Sequence, residues 1–205
     1  MAQSLKRSDS IAYIVTQWYN SVNETHSQYL EYLSSILTTN LKDILLPAIE
    51  LQKSLGKPKS RDIIAKKEHL VESITQIEIE LMELIVFLFR YLKLIETIND
   101  YELDLKSTER LVELVNVDIT ILEYIQISYK NIAKSSNILF KSNISTNKKF
   151  EENFDNYAKV YSRVIRKFVR ETKENSEQIQ LLFSQMKNEV NQIIQQEIEK
   201  EEVVK

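Results

Sequence analysis

Apolar residues recur three and four positions apart along most of the chain, the spacing that keeps side chains on one face of an α-helix. The first run is Ile11, Val15, Trp18, Val22, Thr25, Tyr29, Tyr32 and Ile36. It is a heptad seam with one polar member, and it asks for a partner helix. The last run, Phe150, Phe154, Tyr157, Tyr161, Val164 and Phe168, steps by four and three without a miss and marks a second helix-partner seam. After the polar stretch 171–177 the apolar positions resume in a shifted phase at Ile179, Leu182, Met186, Val190 and Ile193. Such a shift changes the local supercoil or the neighbour that the helix faces. Between these runs, Ile64, Leu70, Val71, Ile74, Ile77 and Leu81 lead into Leu84-Ile-Val-Phe-Leu-Phe89. A helix apolar nearly all round belongs where other helices surround it.

One stretch competes with this reading. Val115, Val117, Ile119 and Ile121 alternate with other residues as a strand does. Leu111, Val115, Ile119, Leu122, Ile125 and Tyr129 also fit one helical stripe, and no turn signal lies nearby, so helix is the expectation.

The punctuation is sparse. The chain has one glycine, Gly56, and two prolines, Pro47 and Pro58, in 205 residues, so tight turns have almost nowhere to form. Helix 1 is expected to start at Ser8–Ser10, whose side chains can cap it. It loosens at Thr38-Thr39-Asn40 and kinks or briefly breaks at Pro47, where an amide donor is missing. Gly56-Lys-Pro-Lys-Ser60 is the clear turn. Asn99-Asp100 is a weaker break, with Asp100 a cap for the next helix, and Lys141–Asn147 is a second polar connection. The end, from Gln195 to Lys205, is expected to fray. The fold class is therefore all-α. Three to four long antiparallel helices form an elongated coiled-coil bundle, one domain over residues 1–205 with segments at about 8–55, 60–98, 101–140 and 147–200.

Composition narrows the chemistry more than it names a function. With no cysteine there is no disulfide, thiolate metal site or cysteine nucleophile. One glycine leaves no Gly-rich phosphate loop. His26 and His69 stand alone, neither following a Glu by three positions as a di-iron bundle needs, and are expected at the solvent or the edge of the core. No catalytic, cofactor or metal residue and no small-molecule substrate is evident, and the chain reads as a non-enzyme. The start is polar, and the longest apolar stretch, Leu81–Ile95, is too short to span a bilayer and carries Glu83, Arg90 and Lys93. A cytoplasmic protein is the expectation.

Net charge is −3, so attraction to an anionic surface has to come from local patches. Two exist. Lys159, Arg163, Arg166, Arg170 and Lys173 recur four and three apart on one helical face, with Lys167 beside it; Lys57, Lys59, Arg61, Lys66 and Lys67 cluster around the Gly56 turn. These are either solvated faces, partners of the acidic stretch Asp100, Glu102, Asp104, Glu109 and Glu113, or docking sites for anionic membrane or an acidic protein. Nucleic acid is disfavoured, because the aromatics sit on seams rather than between the cations.

Leu45-Leu46-Pro47 inside a long helix, the Lys57–Lys67 cluster leading into the next, and the Lys159–Lys173 stripe together resemble the BAR family of membrane-curvature proteins. That resemblance implies long, kinked, antiparallel helices that dimerise into a crescent and meet lipid through basic residues. The leading expectation is a scaffold that dimerises through its aromatic seams and lies peripherally on anionic membrane. The alternative is a subunit of a larger hetero-oligomeric coiled-coil complex, a tethering, trafficking or cytoskeletal adaptor. There another chain would cover the leftover seams.

Overall fold

In the computed structural model the described residues are 7–47, 50, 61–101, 103, 105–141 and 148–203, with side chains left undescribed at 7–9, 61–67, 132, 133, 135–155, 157, 158, 161 and 201. Among them the chain is all α-helical, with no strand. Helix α1 is Arg7–Thr39, α2 is Arg61–Glu96, α3 is Lys106–Lys141 and α4 is Lys148–Val203. The strand-like alternation at Val115–Ile121 lies inside α3. Its helical stripe is the one that packs, since Leu111, Val115, Ile119, Leu122, Ile125 and Tyr129 are all buried.

The expected interruptions come out differently. α1 widens into a π-helix at Asn40–Leu45, and the backbone stays helical through Pro47, beyond which Ala48 and Ile49 lie outside the described residues. Leu46 N–H bonds to the carbonyl of Leu41, five residues back, the mark of a π-turn. The predicted loosening at Thr38–Asn40 thus coincides with its start. The described part of α1 begins at Arg7, next to the expected start near Ser8–Ser10. Thr97–Tyr101 is a 3₁₀ turn where the weaker break was expected. Asp100 lies in that turn and does not cap α3; Ser107 N–H donates instead to Oε2 of Glu189 on α4, 3.1 Å away. Past Gln195, α4 remains helical up to Val203. Side-chain pairs spaced three and four apart, Gln195–Glu199 and Glu197–Lys200, support that last stretch. The Gly56–Ser60 turn and residues 142–147 lie outside the described residues.

The chain divides into two compact units. Unit 1 gathers Met1–Leu30, Phe87–Asp118 and Glu174–Lys205, and unit 2 gathers Glu31–Val86 and Ile119–Lys173. In unit 1, Val15, Trp18, Val22 and Tyr29 of α1 are buried with Leu88, Tyr91 and Ile95 of α2, Leu111 and Val115 of α3, and Ile179, Leu182 and Met186 of α4. The Trp18 indole donates to the carbonyls of Leu94 and Ile95 at 3.1 and 3.2 Å, which satisfies acceptors that the end of α2 leaves open. In unit 2 the core is Ile36 and Ile44, Leu70, Ile74, Ile77, Leu81 and Leu84, Leu122, Ile125 and Tyr129, and Val164 and Phe168. Tyr32 donates to Oε2 of Glu83 at 2.9 Å, and Gln126 to Oε1 of Glu78 at 3.1 Å.

Candidate functional site

The stripe on α4 is the first candidate. Lys159, Arg163, Arg166, Arg170 and Lys173 are all exposed, on the face opposite buried Val164, Phe168 and Thr172. The seam expected to meet a partner helix packs within unit 2 at its two members with described side chains, Val164 and Phe168. Phe150, Phe154, Tyr157 and Tyr161 lie on the α4 backbone with side chains outside the described set. Lys167 differs from its neighbours. Its ammonium lies 4.3 Å from the centre of the Tyr124 ring and 3.9 Å from Oε1 of Glu171, so it is held at the edge of the stripe. Arg170 approaches the same carboxylate at 3.8 Å. Of the second cluster, Arg61, Lys66 and Lys67 open α2 with undescribed side chains, and Lys57 and Lys59 fall outside the described residues.

Charge is unevenly shared. Unit 2 holds 18 Lys and Arg against 14 Asp and Glu, a net +4, and unit 1 holds 9 against 16, a net −7. The basic stripe thus belongs to a unit that is itself cationic. Of the acidic residues Asp100, Glu102, Asp104, Glu109 and Glu113, Glu113 pairs with Arg110 at 2.7 Å.

The second candidate was not legible as a site: a polar centre inside unit 1, to which all four helices contribute. Asp118 on α3 is almost fully buried. Its Oδ2 accepts from the Tyr29 hydroxyl of α1 at 2.9 Å, and its Oδ1 accepts from Asn175 Nδ2 of α4 at 2.8 Å. The same Asn175 amide donates to the carbonyl of Leu114 at 2.8 Å. Beside them His26 packs its ring against Tyr91, Tyr29 and Phe183, with centroids 6.1, 5.9 and 5.1 Å away. Both His26 nitrogens and the Tyr91 hydroxyl lack a protein partner. Contrary to the expectation of a solvent or edge histidine, His26 is only 4% exposed; His69 is exposed.

Burial sets the protonation states here. It pushes the Asp118 carboxyl up to about 6, against the opposing pull of the Asn175 and Tyr29 hydrogen bonds. It pulls the His26 imidazole down to about 4. Both tyrosine hydroxyls are raised, Tyr29 and Tyr91 alike by burial first and by the Asp118 charge second. A carboxylate without a cation and an imidazole without a partner are costly in a core. Unit 2 has a smaller counterpart: buried Tyr129 donates to Asn40 Oδ1, and Asn40 Nδ2 donates to the carbonyl of Ile36 at 3.0 Å.

An open groove of about 260 Å³ in unit 1 is lined by Tyr13, Ile14, Gln17, Trp18, Ser21, Leu94, Thr97 and Tyr101. It carries no charged side chain. Among the described residues no group of three or more His, Cys, Asp or Glu could hold a metal ion, and no helix is long and apolar enough to cross a membrane. No protein-family model, curated protein or solved structure matches the chain.

Proposed function

We propose that this protein is a non-enzymatic helical scaffold that self-associates and docks on anionic membrane through the outer face of α4 in unit 2, as the likeness to BAR proteins implies. One observation carries the reading. Lys159, Arg163, Arg166, Arg170 and Lys173 form an exposed cationic line opposite a packed face, in a unit of net +4. Each Lys or Arg near an anionic lipid surface contributes about 1 kcal/mol, so such a line supplies useful affinity without a pocket. Exposed Val160 and Val169, at 43% each, flank the line and add apolar contact at the headgroup boundary. Lys167 over Tyr124 extends the same edge onto α3. Co-sedimentation with vesicles of zwitterionic lipid, with and without phosphatidylserine, tests the proposal. Binding that requires the acidic lipid and weakens with salt supports it; indifference to the acidic lipid contradicts it.

A second reading has its own support. Ile79, Met82 and Val86 on α2 are 41, 52 and 47% exposed, an apolar edge suited to a helix from a different chain in a larger coiled-coil complex. The solution mass of the isolated chain separates the two, since a discrete homodimer favours the scaffold and an aggregating monomer favours the complex.

A further inference from the structure

In unit 2, α3 and α4 share an edge that one contact fixes: the Lys167 ammonium stands 4.3 Å from the centre of the Tyr124 ring. The side of α3 turned to the core carries Leu122, Ile125 and Tyr129, all buried. At 3.6 residues per turn, Tyr124 and Ile127 fall on the opposite side. They are 51 and 55% exposed and, three positions apart, they are neighbours there. On α4, Val160 precedes Lys167 by seven positions, or two turns, so both lie on the same side of that helix. Val160 is 43% exposed. A tyrosine, an isoleucine and a valine thus border the exposed line Arg163, Arg166 and Arg170 along its α3 side.

Single apolar residues on a surface need no explanation. These three stand beside cations, and the way Lys167 is held suits the boundary of a bilayer. A tyrosine, with an apolar ring and a polar hydroxyl, fits the level where lipid tails meet headgroups. An ammonium drawn over that ring stays level with the phosphates while its aliphatic stem runs along apolar surface. The surrounding charge points the same way. From Ile119 to Lys141, α3 has one carboxylate, Glu123, and Lys130 and Lys134 of the same stretch are exposed. From Lys159 to Lys173, α4 has one carboxylate, Glu171, which Lys167 and Arg170 approach at 3.9 and 3.8 Å. We propose that unit 2 meets anionic bilayer along the α3–α4 edge rather than along α4 alone, with Tyr124 and Ile127 seated below the headgroups and the arginines at the level of the phosphates. The inference rests on the membrane-docking reading and names the side chains that enter the lipid. Two side chains offer too little apolar surface to hold the protein on lipid by themselves, so binding still requires the cations and still falls with salt.

The sequence has no cysteine, so a single introduced cysteine places an environment-sensitive thiol dye at one site of the full-length chain. The dye is read with vesicles of zwitterionic lipid carrying phosphatidylserine. At Tyr124→Cys and Ile127→Cys its emission is expected to move to the blue on binding. At Leu41→Cys, a similarly exposed apolar position in the π-turn of α1, it is expected to stay unchanged. Protein that pellets with unchanged emission at both α3 positions lies on the headgroups without entering them, which overturns the insertion and leaves the docking standing. An equal shift at Leu41→Cys also overturns it, because the α3–α4 edge would then not be the face that enters. Affinity supplies the second readout. Tyr124→Ser with Ile127→Ser is expected to weaken vesicle binding at low salt roughly tenfold at unchanged circular dichroism, and Tyr124→Trp with Ile127→Leu to retain it. Binding untouched by the serine pair sinks the proposal. Wild type that ignores the vesicles in sedimentation refutes docking and insertion together.

Discussion

The Tyr29 hydroxyl donates to Oδ2 of Asp118 across 2.9 Å of the core of unit 1, and no described cation balances the carboxylate. The raised Asp118 value means that the folded state takes up a proton more readily than the unfolded chain. Its contribution to stability is complete below about pH 4 and is lost as the pH rises through about 6. His26 behaves oppositely. Its contribution is complete above its ordinary value of 6.5 and is lost as the pH falls through about 4.

The two effects oppose each other over nearly the same window, each by about 3 kcal/mol, so together they leave little slope in the wild type. The single variants separate them. His26→Phe is expected to be more stable at pH 4 than at pH 7, and Asp118→Asn less stable at pH 4 than at pH 7. Urea midpoints at pH 4, 5, 6 and 7 check this; two variants that track the wild type at every pH would mean that neither group titrates as its burial requires.

Removing the Tyr129 hydroxyl takes away the donor to buried Asn40 Oδ1. Tyr129→Phe is expected to cost about 1–3 kcal/mol, the penalty of a buried acceptor left unmade. In a double-mutant cycle with Asn40→Leu the two changes should couple by about 0.5–3 kcal/mol. Additive losses would mean that the pair is not a unit.

Phe168 is fully buried and Arg166 lies exposed on the other side of the same helix. Phe168→Ala is expected to lower stability by about 3–5 kcal/mol and Arg166→Ala by no more than about 0.5. Chemical denaturation of both variants decides the register of α4. Similar losses from the two would place the aromatic seam elsewhere.

Spacing alone made part of this architecture readable in advance. The stripe Leu111 to Tyr129 was legible because burial tracks helical period. The cationic face of α4 was legible for the same reason. The polar centre was not, although its positions are regular. Asp118 sits three after Val115 and four before Leu122. Asn175 comes seven after Phe168, and His26 four after Val22. Each is a polar residue on an apolar stripe, and that was the available signal. A polar side chain at such a position reads as an interruption until the other helices bring its partners. The Glu189 contact to Ser107 N–H was hidden likewise, 82 positions away along the chain. The π-turn before Pro47 is a local rearrangement whose form the proline alone did not dictate.

Vesicle co-sedimentation of wild type beside Arg163→Glu, Arg166→Glu and Arg170→Glu combined decides whether the outer face of α4 meets anionic membrane. Wild type is expected to pellet with phosphatidylserine-containing vesicles at 0.1 M salt and to be released as the Debye length falls from about 10 Å towards 3 Å at 1 M. The triple variant should stay in the supernatant at 0.1 M salt with its circular dichroism unchanged. Wild type that ignores these vesicles at low salt, or a triple variant that pellets equally well, would contradict it.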